Sequence, residues 1–136
     1  MRSTTLAGLA GALALTAFAT PARAAGHVTM RCTLTYSTLI GSGTGNGTCT
    51  ATGAVNGHVL NGTAFQLAFN ANNTCPTQSV AGSGFGGGVS LSFQWLRTGT
   101  IGAVTSGGDV NGGGSVEFSS PCPANGETAV FSTSGS

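Results

Sequence analysis

Residues 48–70 read TCTATGAV, then NG, then HVLNGTAFQLAFN, two alternating arms about an Asn-Gly pair. A type I′ hairpin turn requires positive φ at both central residues, and Asn followed by Gly meets that need at the least steric cost. No other stretch restricts the chain as tightly, because a two-residue turn also fixes which residues oppose each other. Val55 then faces His58, Gly53 faces Leu60 and Ala51 faces Gly62. The same count puts Phe65, Leu67 and Phe69 on the side of Thr48, Thr50 and Thr52, opposite Cys49, since a one-residue slip turns every later side chain over. Asn61-Gly62 removes the conflict. One extra residue there forms a bulge, Gly accepts its backbone angles, and Leu60, Phe65, Leu67 and Phe69 all face inward.

Much of the remaining chain repeats this grammar of short alternating run and Gly-containing break. In His27 to Tyr36, Val28, Met30, Cys32, Leu34 and Tyr36 share one face, while Thr29, Arg31, Thr33 and Thr35 share the wet one. Residues 37–47 read as a Gly-, Ser- and Thr-rich loop, with a short edge strand near 38–40 as the other reading. Residues 71–76 read as a turn-rich break and 78–81 as a short strand before the glycines of 82–88. Val89, Leu91, Phe93 and Trp95 alternate with Ser90, Ser92 and Gln94, and these four large side chains form the expected centre of the core. Burial of each stabilises by roughly 1.5–3 kcal/mol. Residues 101–105 form a run loosened by Gly102, 106–114 are Gly-rich, and strands are expected at 115–118 and near 128–132. The expected fold is all-β: a small antiparallel β-sandwich or a closed β-barrel, meander-like, with about seven or eight short strands.

The amino terminus follows a different logic. A positively charged start at Met1-Arg2, an apolar run over 6–19, and Ala22 and Ala24 at the positions read by signal peptidase describe a signal peptide over residues 1–24. The apolar run is shorter than the roughly 20 residues of a membrane span. Cleavage leaves residues 25–136 as a single all-β domain, secreted and extracellular, with no stable membrane insertion. This part carries Arg31 and Arg97 against Asp109, Glu117 and Glu127, a formal charge of 2 − 3 = −1, and the chain has no Lys. Nucleic acid is not an expected partner, because phosphate binding depends on clustered cations.

Four cysteines in an exported chain form two disulfides, in one of three connectivities. Cys32 and Cys49 lie in strand-like runs, whereas Cys75 and Cys122 lie beside prolines in loop chemistry. Pairing like with like gives Cys32–Cys49 and Cys75–Cys122, which stabilise by roughly 3 and 4 kcal/mol through the unfolded chain.

Groups able to do acid–base chemistry are few. His27 and His58 are the only imidazoles, and no nucleophile motif marks a serine. Asp109 and Glu117 flank a glycine run as solvated strand ends. Three glycosylation-type sequons, at Asn46, Asn61 and Asn72, read as turn formers. Trp95, with Phe93 and Arg97, is the candidate binding group: an aromatic beside an Arg at the open end of a barrel could hold a sugar or a small planar ligand. The alternative is that Trp95 fills the core and Arg97 covers it. No cofactor is expected, with one qualification. Cleavage after Ala24 would leave Ala25-Gly26-His27 at the terminus, where the amine, two amide nitrogens and an imidazole resemble the amino-terminal Cu(II)- and Ni(II)-binding motif, so adventitious binding of either ion is expected. The functional expectation is a secreted, non-enzymatic β-module that binds a small molecule or a protein or contributes to the cell surface. A small extracellular hydrolase is the alternative.

Overall fold

The computed structural model describes residues 27–55 and 57–135. They form nine strands: β1 (His27–Tyr36), β2 (Gly41–Val55), β3 (His58–Val59), β4 (Thr63–Asn73), β5 (Thr77–Gly86), β6 (Val89–Thr98), β7 (Ile101–Gly108), β8 (Gly112–Phe118) and β9 (Thr128–Gly135). Strands pair antiparallel with their sequence neighbours, except that β4 pairs with β2 past the two-residue β3, and β9 returns to pair with β1, which also pairs with β2. That last contact decides between the two expected architectures. The sheet is a closed eight-stranded meander barrel, with β3 as a short extra strand on β2. Closure leaves the barrel wall without a free edge.

The central hairpin has the expected register. Val55 pairs with His58 and Ala54 with Val59, but Ala51 pairs with Thr63. Two residues of β2 therefore stand against three, Leu60, Asn61 and Gly62, and Gly62 takes a φ of +81°. Beyond this bulge Phe65, Leu67 and Phe69 are buried with Leu60. Asn61 holds the bulge in place: its side-chain oxygen accepts the Gly53 N–H at 2.8 Å, while the Gly62 N–H donates to the Ala51 carbonyl. The same device recurs before β9. The Asn125 side-chain oxygen accepts the Tyr36 N–H at 2.6 Å, and the Gly126 N–H donates to the Leu34 carbonyl. In both, the residue after Gly closes a turn onto the residue before Asn, Thr63 to Leu60 and Glu127 to Ala124.

Several strands are longer than their sequence suggests. The expected loop at 37–47 shrinks to 37–40, because β2 begins at Gly41. The expected break at 71–76 shrinks to 74–76, with Ala71 and Asn73 buried in β4. β5 runs through the glycines to Gly86, β7 to Gly108, and β8 starts at Gly112. One cause accounts for Gly45 of β2 and for Gly82, Gly84 and Gly86 of β5: β4 between the two strands carries large inward side chains. A methyl group at Gly45 or Gly82 would overlap Phe69, one at Gly84 would overlap Leu67, and one at Gly86 would meet the Phe65 ring. These glycines therefore make room for the core. Of the sequons, Asn61 alone is in a turn; Asn46 and Asn72 sit within β2 and β4.

Inward side chains fill the barrel. Trp95, Phe93, Phe69 and Phe131 pack with ring centroids 5.3–6.4 Å apart, and Tyr36 and Phe118 join them edge-on. Cys32 and Cys49 are cross-strand partners facing inward and are joined, Cα to Cα 4.0 Å. Cys75 and Cys122 are joined on the surface, tying the β4–β5 turn to the segment before β9. Both pairings are those expected.

Candidate functional site

Arg97 continues the inward phase of Val89, Leu91, Phe93 and Trp95, so β6 drives a guanidinium into one end of the barrel. A charge there needs partners, since an isolated buried ion costs many kcal/mol. Glu127 supplies them, with Arg97 Nη1 2.7 Å from Oε2 and Nη2 2.8 Å from Oε1. Arg97 Nε donates to the Gly99 carbonyl at 3.0 Å, Nη2 donates to the Ser120 carbonyl at 2.7 Å, and the guanidinium carbon lies 3.9 Å from the Phe118 ring centre. Truncating either member of such a pair typically costs about 3–5 kcal/mol, mostly because the other is left unpaired.

The network extends sideways across the barrel end. Tyr36 Oη donates to Glu127 Oε2 at 2.7 Å. Burial pushes the Tyr36 phenol well above the usual tyrosine range, and the adjacent Glu127 carboxylate adds to the effect. Trp95 Nε1 donates to Gln78 Oε1 at 2.9 Å, Gln78 Nε2 to Asn73 Oδ1 at 2.8 Å, and Asn73 Nδ2 to the Thr38 carbonyl at 2.8 Å. The cluster is therefore a satisfied plug, closed over by residues 119–127 and held by the Cys75–Cys122 bridge.

Trp95, Phe93 and Arg97 come together as the sequence suggested, but inside this plug, with relative exposures of 1, 2 and 2%. A ligand reaching them would have to open the barrel end. Sequence reading missed Glu127, Gln78 and Asn73 as their partners. A signal for Arg97 and Gln78 was present: each continues the inward alternation of its own strand, where a polar residue must find a partner.

His27 is exposed as the first residue of β1, paired with Ala54 on β2 and Ser134 on β9. Ala25, Gly26 and the expected signal peptide lie outside the described residues. His58 is exposed on β3, and Glu117 is exposed on β8. The Asp109 carboxylate accepts the Ser90 N–H at 2.9 Å and so caps a strand end.

A large concavity lies elsewhere, on the outer wall. A groove of about 880 Å³ crosses β2, β4, β5, β6 and β7. Cross-strand pairing sets Thr44 beside Asn70, Asn70 beside Ala81, Ala81 beside Gln94 and Gln94 beside Thr105, all exposed. The adjacent row runs from Asn72 through Ser79 to Leu96. Trp95 and Val80 border the groove from below, their side chains turned into the core. None of its lining residues is ionisable.

No family model matches the chain, and neither the curated proteins nor the solved structures contain a match.

Proposed function

We propose that this chain is a secreted, disulfide-stapled, non-enzymatic β-module that binds an extracellular small molecule or protein through its outer wall. The observation that carries the reading is the contrast between inside and outside. The interior is packed with aromatics and a satisfied ion-pair network, whereas the groove is open, its hydrogen-bonding side chains set among alanines and Leu96 and free to meet a partner. Export is supported by the signal-like residues 1–24 and by the two disulfides. Among the described residues no helix is long and apolar enough to cross a membrane.

The test combines amide hydrogen exchange with Trp95 emission for the mature chain against soluble glycans, peptides and small metabolites. A wall binder protects amides of β4, β5 and β6 and leaves the emission of the single, buried Trp unchanged. Protection confined to the 119–127 end together with shifted Trp95 emission would place the site inside instead. Turnover of ester, peptide or glycoside substrates would establish the hydrolase.

A further inference from the structure

We infer that the outer-wall groove is a binding site for a neutral polysaccharide, laid across the strands; this rests on the wall-binding reading above and names its ligand. Three observations carry it. The first is chemical. Asn70, Asn72 and Gln94 present primary amides, and Thr44 and Thr105 present hydroxyls, so each of these groups can both donate and accept a hydrogen bond. A sugar hydroxyl has the same dual character, and a surface of dual groups can match it in any rotamer. The second is electrostatic. With no ionisable residue lining the groove, with Arg97 sealed in the plug and Arg31 on β1, nothing there selects for or compensates a charged ligand. The third is geometric. The row from Thr44 to Thr105 repeats once per strand, about every 4.8 Å. That step is close to the length of one pyranose unit in an extended glycan, so successive sugars meet successive strands.

The floor fits this occupant. Ala81 and Ser79 on β5 keep the centre low between Asn70 and Gln94 on one row and between Asn72 and Leu96 on the next. Leu96 is 69% exposed and offers an apolar contact for the C–H face of a sugar. A peptide strand is the less suited ligand, because peptides add to sheets through an unpaired edge and this wall has none.

Affinity electrophoresis through gels containing hydroxyethyl cellulose, laminarin, xylan or dextran tests the inference, with polygalacturonate as the charged control. At least one neutral gel should retard the mature chain, and raising the salt should not release it, because screening acts only on charges. The double variant Asn70→Ala/Gln94→Ala should bind at least about tenfold more weakly, consistent with one or two lost hydrogen bonds. Ala81→Tyr, which fills the floor from an outward strand position, should abolish retardation while leaving the Trp95 emission native. Retardation by polygalacturonate alone, or equal retardation of both variants, overturns the inference. So does free migration in every neutral gel. If a peptide or small molecule still protects β4–β6 amides in that case, wall binding survives and only the glycan is lost; if no probe protects them, both readings fall.

Discussion

Tyr36 shows how one side chain couples the plug to the solvent pH. It is the only tyrosine in the chain, it is buried, and its hydroxyl donates to Glu127. Folding raises its pKa, so the neutral phenol is favoured in the folded barrel more than in the unfolded chain. The resulting stabilisation is complete below the unfolded value near about 10 and is lost as pH rises from there toward the folded value. The expected outcome is a fall in thermal stability above about pH 10 that the Tyr36→Phe variant lacks. Tyr36→Phe should itself be less stable at neutral pH, because Glu127 loses a hydrogen bond. Ultraviolet titration of the single phenol provides the check: ionisation should coincide with unfolding, and an ordinary, non-cooperative titration of the folded protein would contradict the buried placement.

At the scale of elements, the strands owe their length to residues that look like loop. The alternating arms of β1, β6 and the central hairpin were legible because apolar and polar side chains trade places every residue. The Asn61-Gly62 bulge was legible for the same reason, since two apolar phases disagreed by one residue. Residues 41–47 and 82–86 were not, because a glycine facing inward leaves no mark in the hydrophobic pattern. What fixes Gly45, Gly82, Gly84 and Gly86 is the bulk of Phe65, Leu67 and Phe69 on the strand between, a relation visible only once β2, β4 and β5 are adjacent. The outer groove was hidden by similar logic, its Asn, Gln and Thr residues being simply the wet side of each strand taken alone. Paired substitutions separate the two kinds of glycine. Gly82→Ala drives a methyl group against Phe69 and the Ala68 carbonyl and should destabilise by about 1–3 kcal/mol. Gly113→Ala meets nothing closer than the Val104 carbonyl at 3.8 Å and should be neutral or stabilising by up to about 1 kcal/mol. Urea denaturation of both decides it, and equal effects would mean that the inward glycines are not set by packing.

For the whole molecule, closure depends on bringing β9 back to β1 across almost the full length of the described chain. The residues that lead into β9 are therefore held at several points: the Glu127 pair with Arg97, the Asn125 bond to Tyr36, and the Cys75–Cys122 bridge. The two disulfides do different jobs in this arrangement. Cys32 and Cys49, with exposures of 1 and 5%, are part of the packed interior and are shielded by the barrel wall. Cys75 is exposed and Cys122 half-exposed, outside the wall and reachable by a small thiol. Attack by a thiolate requires access to sulfur, so the outer bridge should be reduced first. Mild dithiothreitol followed by alkylation and peptide mapping should label Cys75 and Cys122 in the native protein, and Cys32 and Cys49 only after denaturant is added. The singly reduced protein should keep its β-sheet spectrum, because the barrel hydrogen bonds and the ion pair remain. It should unfold at lower urea, with a loss of up to about 4 kcal/mol for releasing a loop of this length. Simultaneous labelling of all four cysteines would show instead that closure of the barrel itself depends on the outer bridge.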